Sequence, residues 1–514
     1  MRRSLMSILV LLGCAEEPAP PVQAPPASAP SAAAPAGQPP PSAEAPKAPA
    51  PPAAEPPNEP WRKEQPAGGP APEVKLPKAQ VARLKNGLEV ILVETHHLPV
   101  VSAELVVFAG AERSGAREPG LAGLVAALLT EGTKKHDALA LADAIDQIGA
   151  ELGAGASHDA VGISLTTLSK HLDAALDLYA EVVLEPTFPA EELDRVRDRR
   201  LTALLQQKDN PNAVAQNVGA RVVYGDDHPY GFPLLGTEKA LKSYARADVE
   251  KYWQTYFRPG NAKLIVVGDT TLADIKQKLD ARLGDWKPGP VGRARPPGAP
   301  KPAGGRRVFV VDKPKASQSI VMLAHVGVAR SSPDYIPLVV ANYILGGAFS
   351  SRINMNLREK KGYSYGARST FSFLRGPGPF SAGGNMRGDA TKDSLSELLK
   401  ELGSFRDAKV EADELAEAKS SLIGKMAGRF ETNAQVASQL AELIENNLPL
   451  DWYASYAKKV GAVTAADVQR VARKYLHPER AQIVVVGDWK SVESGLKELK
   501  LGAIELRDPF GDKP

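Results

Sequence analysis

The sequence predicts an α+β fold made of two similar domains, and three observations predict it. The chain has 514 residues, too many for one ordinary domain. It contains an internal repeat at one fixed offset. Ala247-Asp248-Val249, Tyr256, Pro259, Ala262 and Val266-Val267-Gly268-Asp269 recur 219 residues later as Ala466-Asp467-Val468, Tyr475, Pro478, Ala481 and Val485-Val486-Gly487-Asp488. Ten identities in a 23-residue window mark a duplicated unit of about 210 residues. Strand-like runs are grouped with long helical patterns and do not alternate with them one for one. That favours α+β over a doubly wound parallel sheet.

The elements follow in order. Arg2-Arg3, the short apolar run Leu5 to Leu12 and then Gly13-Cys14 open the chain. The run is too short to span a bilayer. This start resembles a bacterial lipoprotein signal, which implies cleavage before Cys14 and a lipid on its thiol. Cys14 is the only cysteine, so no intrachain disulfide forms. Ala15 is not the aspartate associated with inner-membrane retention. The expectation is a lipid-anchored protein of the bacterial cell envelope, on the outer membrane and facing the periplasm. Residues 1–13 are then signal, and 14–77 a tether. Twenty of the 44 prolines fall in residues 15–75, with alanine filling most gaps, a composition that cannot bury a core and favours polyproline II. Fully extended, that stretch reaches about 190 Å.

Folded sequence is expected from Lys78. Val81 to Lys85 and Leu88 to Val93 flank Asn86-Gly87 and read as a β-hairpin with a tight primed turn. Ser102 to Phe108 is a further strand. Helical periodicity marks Leu121–Leu129, Asp137–Ile148, Lys170–Leu184 and Ala190–Gln207, and Lys263 to Gly268 is a strand. Residues 78–287 form the first domain. A Pro-, Gly- and Arg-rich linker spans 288–305. The second domain, 306–514, restarts with strands at Arg307–Asp312 and Ser319–His325. Helices follow at Ile336–Leu345, Lys392–Leu402, Ala412–Arg429 and Ala434–Glu445.

Composition excludes some functions. Sixty-three basic against 60 acidic residues leave a net charge of +3, which gives nucleic acid no electrostatic footprint. There is no Gly-x-x-x-x-Gly-Lys-Ser/Thr phosphate loop.

The helix from Gly120 to Thr133 resembles the active-site helix of the pitrilysin/insulinase family of zinc peptidases. Further matching strings are Pro186-Thr187-Phe188, Asp209-Asn210-Pro211, His228-Pro229-Tyr230-Gly231 and Leu235-Gly236-Thr237. Leu345-Gly346-Gly347, Ser350-Ser351-Arg352 and Leu357 to Tyr365 continue the match. Each string is weak alone, but their order and spacing from residue 80 to 490 are specific. The resemblance implies two similar domains, each an antiparallel sheet with helices packed on one face. It also implies chains that close in pairs around a chamber for an extended peptide.

In that family the helix carries His-x-x-Glu-His: two zinc ligands on one helix face with a general base between them. The matching positions here are Gly123, Ala126 and Ala127. The family's third ligand, a Glu about 75 residues further on, falls in the run Arg197 to Gln207, and no Glu occurs between Glu192 and Glu238. Both histidines, the base and the distal ligand are therefore absent together. The eight histidines include no i, i+4 pair. His228, before Pro229, reads as a turn residue, and Glu131 as a solvated residue at the helix end.

What survives in the resemblance is the family's peptide-holding pair, an Arg and a Tyr seven residues apart, matched by Arg358 and Tyr365. A guanidinium offers a fixed fork of donors to peptide carbonyls or a carboxylate, and a Tyr hydroxyl adds one directed bond. The family includes sister chains that have lost the zinc site and keep this pair. The expectation is thus a non-catalytic, peptide-positioning subunit, similar to the inactive partner of a mitochondrial-processing-peptidase-type pair. It would bind no cofactor of its own, and zinc would sit on a partner chain. A tethered peptide-binding or structural envelope protein is the alternative. A self-sufficient zinc peptidase would need ligands the sequence does not offer.

Overall fold

The two copies of the repeat lay down two six-stranded sheets in the computed structural model, which describes residues 78–513 apart from 293, 294, 302 and 303. The signal-like start, Cys14 and the Pro/Ala-rich stretch lie outside the described residues. The first sheet holds β1 (Ala79–Arg83), β2 (Glu89–Glu94), β3 (Val100–Val107), β4 (Glu151–Ala156), β5 (Val161–Leu168) and β6 (Ala262–Gly268). Their spatial order is β1-β2-β6-β3-β5-β4. The second holds β7 (Arg307–Asp312), β8 (Gln318–Val326), β9 (Ser364–Phe371), β10 (Pro379–Arg387), β11 (Gln482–Gly487) and β12 (Ile504–Leu506), in the order β12-β7-β11-β8-β10-β9.

The orders superimpose. β2-β6-β3-β5-β4 of the first sheet corresponds to β7-β11-β8-β10-β9 of the second. The strands that carry the repeated Val-Val-Gly-Asp, β6 and β11, take the same place in both. Only the outer strand differs, since β1 precedes its sheet in the chain and β12 follows. The duplicated α+β architecture is therefore present as the repeat predicts. The sheets are not wholly antiparallel: β2–β6, β7–β11 and β7–β12 pair in parallel. β6 and β11 reach the sheet only after a long helical excursion, and a crossover of that length permits parallel pairing.

The first hairpin differs from its expected form in one respect. β1 and β2 pair antiparallel, but the turn is not a two-residue primed one. The Gly87 N–H donates to Leu84 O at 2.9 Å and the Leu84 N–H to Leu88 O at 2.9 Å, with positive φ at Gly87 and not at Asn86. That is a three-residue loop with glycine at the left-handed position. The Asn86 side chain is instead recruited to Leu283 O, at 2.7 Å.

β6 and β11 are buried along almost their whole length, as continuous apolar runs covered on both faces. Helices pack on the expected face, and the opposite face of each sheet carries a helix from the other copy. Val214, Ala215 and Val218 of the Pro211–Tyr224 helix pack on Phe309, Val311, Ile320, Val484 and Val486 of the second sheet. Val436, Ala437 and Leu440 of the Asn433–Glu445 helix share a core with Val106, Ile265 and Val267 of the first. Each buried valine or leucine in these joints contributes about 1.5–3 kcal/mol, so the two halves are held together by reciprocal exchange.

Between them runs a buried polar seam. Asp159 accepts from the Tyr230 hydroxyl at 2.7 Å and from the Arg375 backbone N–H at 3.0 Å, and the Gly376 N–H donates to Tyr230 Oη at 3.1 Å. The Glu112 carboxylate is buried 3.5 Å from an Arg375 guanidinium nitrogen. Burial, with the Asp159 charge added, pushes Glu112 up to about 8 against the pull of Arg375 and Arg113. Glu104 on β3 is pushed up to about 7 by burial alone. Glu445, at the end of the exchanged helix, reaches about 7 through burial and the Asp159 and Glu104 charges.

Candidate functional site

The Leu121–Leu128 helix begins after Gly120 and packs beside the Ala190–Asp209 helix, as a zinc-binding pair of helices would. Ala126 is buried, and Ala127 packs at the edge of the core. At Gly123 a Cβ would stand 2.7 Å from Arg200 Nη2 and 2.9 Å from Leu234 O. Arg200 fills this place. Its Nη1 donates to Gly123 O at 3.2 Å, and its Nη2 to Leu234 O at 2.9 Å and Leu235 O at 3.2 Å. Burial, with Arg199 second, lowers the Arg200 pKa to about 10, so the group stays cationic at neutral pH. Its Nε is buried without a hydrogen-bond partner.

These residues do not fit a zinc ion. Gly123, Ala126 and Ala127 offer no donor atom, and the facing turn of the second helix offers a guanidinium and the buried side chain of Leu204. A cation is already built into the joint. Among the described residues, no three His, Cys, Asp or Glu side chains converge as a metal site. Sequence reasoning named the three vacant positions but missed Arg200. The only available signal was its place in the segment where the distal Glu was sought.

Two smaller expectations meet different outcomes. Glu131 is not a solvated helix-end residue. Its side chain is 13% exposed and is paired with Arg195 and with Arg199, the latter at 3.3 Å. Two arginines of the neighbouring helix reach it, a contact no local pattern announces. His228 is a turn residue: its Nδ1 accepts from the Tyr230 N–H at 3.1 Å, and its Nε2 lies 2.9 Å from Gly298 O.

Arg358 and Tyr365 lie on the rim of one cavity of about 500 Å³. Local structure places them. Arg358 sits in the last, widened turn of the segment Met355–Lys360. The chain then reverses at Gly362, whose φ of +65° suits glycine. The Gly362 N–H donates to Arg358 O at 3.1 Å and the Tyr363 N–H to Leu357 O at 2.9 Å, closing the helix end. β9 starts at once. Ser364 is buried, accepts from the Gly366 N–H at 3.0 Å and lies 2.7 Å from Asn385 O, so the next side chain, Tyr365, points outward and is 82% exposed. Arg387 braces the turn. It holds Asp389 through Nε and Nη2 at 3.0 and 2.6 Å, and its backbone N–H donates to Tyr363 O at 2.8 Å.

The Arg358 guanidinium lies over the Phe349 ring, 4.7 Å from its centroid, and its Nε is 3.2 Å from Glu359. Among the described residues its two Nη groups make no hydrogen bond. The stacking fixes the plane of the guanidinium while the end of the fork stays open to a ligand.

Comparison with known proteins adds to this geometry. Residues 89–238 match the sequence profile described as Insulinase (Peptidase family M16), and residues 243–422 the profile described as Peptidase M16 inactive domain. The crystal structure of a peptidase M16 inactive domain from Pseudomonas fluorescens is 30% identical, covers 80% of this chain and 98% of its own, and superimposes with a TM-score of 0.74. A protease from Helicobacter pylori shares the fold at 23% identity and a TM-score of 0.73, covering 80% of this chain and 100% of its own. Among curated relatives, the uncharacterized zinc protease YmxG of Bacillus subtilis is 23% identical over 75% of this chain and 92% of its own length. An uncharacterized zinc protease of Mycobacterium leprae is 26% identical over 81% and 94%.

Proposed function

The chain is a member of the pitrilysin/insulinase (M16) family, and on that premise we propose that it is a non-catalytic, peptide-positioning subunit of a zinc metallopeptidase complex. The observation that carries this reading is the contrast between its two family sites. At the first, Arg200 packs against Gly123 where a metal ligand would have to project. At the second, Arg358 and Tyr365 frame an open cavity, and among the described residues the two Arg358 Nη groups make no hydrogen bond while Nε lies by Glu359. A chain with the second and without the first can hold a peptide and cannot activate water on a metal of its own. Bond cleavage then belongs to a zinc-bearing sister chain. This chain contributes orientation, which is worth as much to a rate as a chemical group when it fixes the scissile bond in line. The lipid on Cys14 would keep the complex at the envelope membrane.

The test is to isolate the protein from its native membrane and identify what accompanies it. An M16 chain with an intact His-x-x-Glu-His, co-purifying in fixed ratio, is the expected result. The isolated chain should cleave no unfolded peptide, and cleavage should appear on mixing with that partner. One tightly held zinc per chain with chelator-sensitive cleavage by this chain alone would overturn the proposal. Peptide binding by a chain that has no partner would move the reading to a tethered binding protein.

A further inference from the structure

We infer that the Arg358–Tyr365 cavity recognises a carboxylate, and that the peptides this protein holds present one there, as an acidic side chain or as their C-terminus. The inference rests on the reading of that cavity as a peptide site and names what the site selects.

The lining decides the chemistry. None of the nine residues around the cavity carries an aliphatic side chain. An apolar residue entering it would cover polar groups that need water. The hydrogen-bonding groups are also unbalanced. Arg358 brings two free Nη groups. Among the described residues, the hydroxyls of Tyr363 and Tyr365 and the side-chain amides of Gln318 and Asn385 make no hydrogen bond to another protein group. Donors predominate: the acceptors are the two amide oxygens, Glu359 and the two tyrosine hydroxyls, and each of those hydroxyls can turn its hydrogen toward a ligand. A carboxylate is acceptor-only and has about four lone-pair positions, so it complements such a set; a neutral amide, half donor, does not.

Geometry agrees. Phe349 holds one face of the Arg358 guanidinium, and a Glu359 oxygen lies 3.2 Å from Nε. The two Nη groups remain as a parallel pair, spaced to meet both oxygens of one carboxylate. A peptide carbonyl has one oxygen and would leave half of that fork unused. The amides stand in register. Gln318 on β8 faces Arg387 on β10, and Asn385 shares the Arg387 side of its strand. That side of the sheet is also the one on which the exchanged Pro211–Tyr224 helix rests, as its contact with Ile320 shows. Arg387 itself is occupied by Asp389 and the turn, so Arg358 is the cation available to a ligand.

The experiment measures fluorescence anisotropy of the full chain with four labelled, unstructured peptides of one neutral backbone. The first has a free C-terminus and no acidic residue. The second is amidated with one central Glu. The third replaces that Glu by Gln, and the fourth by Leu. The expected result is that the first or the second binds about tenfold or more tightly than the third and fourth, by the strength of a charge-assisted bidentate bond over a neutral one. Which of the two binds shows whether the carboxylate is terminal or on a side chain. The preference should vanish in Arg358→Gln and weaken in Tyr365→Phe, both at exposed positions that leave the fold intact, as unchanged thermal melts would show. Equal binding of all four peptides, lost in Arg358→Gln, would overturn the carboxylate while leaving the peptide site standing. Binding of none would overturn both.

Discussion

The Arg200 guanidinium lies 2.7 Å from the point where Gly123 would carry a Cβ and bonds the Gly123 carbonyl at 3.2 Å, so this arginine and a side chain at 123 exclude one another. Arg200 thus fills the space beside Gly123, and a filled space has consequences that the mere lack of a ligand would not have.

Restoring the family motif should fail. Gly123→His, Ala126→Glu and Ala127→His together should bind no stoichiometric zinc, because the His at 123 meets the Arg200 guanidinium and Leu234 O and the new site gains a buried positive neighbour. The His at 123 alone should cost about 1–3 kcal/mol through overpacking. Zinc content after dialysis, with denaturant melts, checks this. Adding Arg200→Ala and Leu204→Glu to the triple variant should be needed before metal is retained. Full zinc loading of the triple variant would refute the exclusion.

Removing the guanidinium should loosen the joint. Arg200→Ala leaves the Gly123, Leu234 and Leu235 carbonyls without their donor in a mostly buried place, and a cost of about 3 kcal/mol is expected. Arg200→Lys keeps the charge but cannot reach three carbonyls with a flat fork, and should fall between. Urea unfolding of the three proteins orders them, and chelator should shift none of the curves.

The polar seam should make stability fall as pH rises through 7 to 8. Glu104, Glu112 and Glu445 have folded-state pKa values raised to about 7, 8 and 7 from 4.5. A raised carboxyl binds more protons folded than unfolded, so its contribution is fully present below pH 4.5 and is lost as pH rises through the folded value. His325 runs the other way, lowered to about 4 by burial, and its effect is confined below pH 6.5. Between pH 6.5 and 8.5 the carboxyls act together with His96, which hydrogen bonds to Asp269 and Glu94 raise and which loses its contribution in the same direction, and the melting temperature should drop. Glu445→Gln should flatten that drop. It would leave the opposing Asp159, Glu104, Glu442 and Arg375 in place, so a slope identical to wild type would show that Glu445 does not titrate there.

Within a paired peptidase, Arg358→Ala should reduce peptide cleavage about 10–100-fold, from the ~1.5–3 kcal/mol of a hydrogen bond to a charged group. Tyr365→Phe, which removes one neutral bond, should cost less. Assembly and the partner's zinc should be unchanged in both. Separate measurements of complex formation and of cleavage distinguish this from a packing role, in which neither variant would alter the rate.

Membrane attachment is testable apart from all this. Wild type should fractionate with membranes and carry lipid on Cys14, and Cys14→Ser should be released or remain unprocessed. A single lipidated residue supplies affinity that a surface of near-neutral net charge does not. Wild type found soluble with Met1 intact would remove the anchor.

Residue spacing by itself determined a good deal about this protein. A repeat at fixed offset required two copies of one unit, and β6 and β11 do occupy the same place in their sheets. The helix at Leu121–Leu128 was legible from its apolar periodicity, while Gly123, Ala126 and Ala127 were singled out by the family resemblance alone. Arg358 and Tyr365 were named by that resemblance too, and the turn at Gly362 places both on one cavity. The strands β4 and β10 were not legible, since Glu-Leu-Gly-Ala-Gly-Ala and Pro-Phe-Ser-Ala-Gly-Gly-Asn-Met-Arg have weak strand propensity and are recruited by neighbours. β5, Val161–Leu168, alternates clearly and was within reach. Tertiary structure alone decided the rest. Periodicity says which face of the Pro211–Tyr224 helix is apolar, and any apolar sheet satisfies that face equally. Only the assembled chain shows that it lies on the other copy's sheet, that Arg200 reaches Gly123 from a second helix, and that Glu112, Asp159 and Glu445 meet between the halves. Those contacts join residues tens to hundreds of positions apart, and their energy comes from burial and charge in a shared interior that no local window contains.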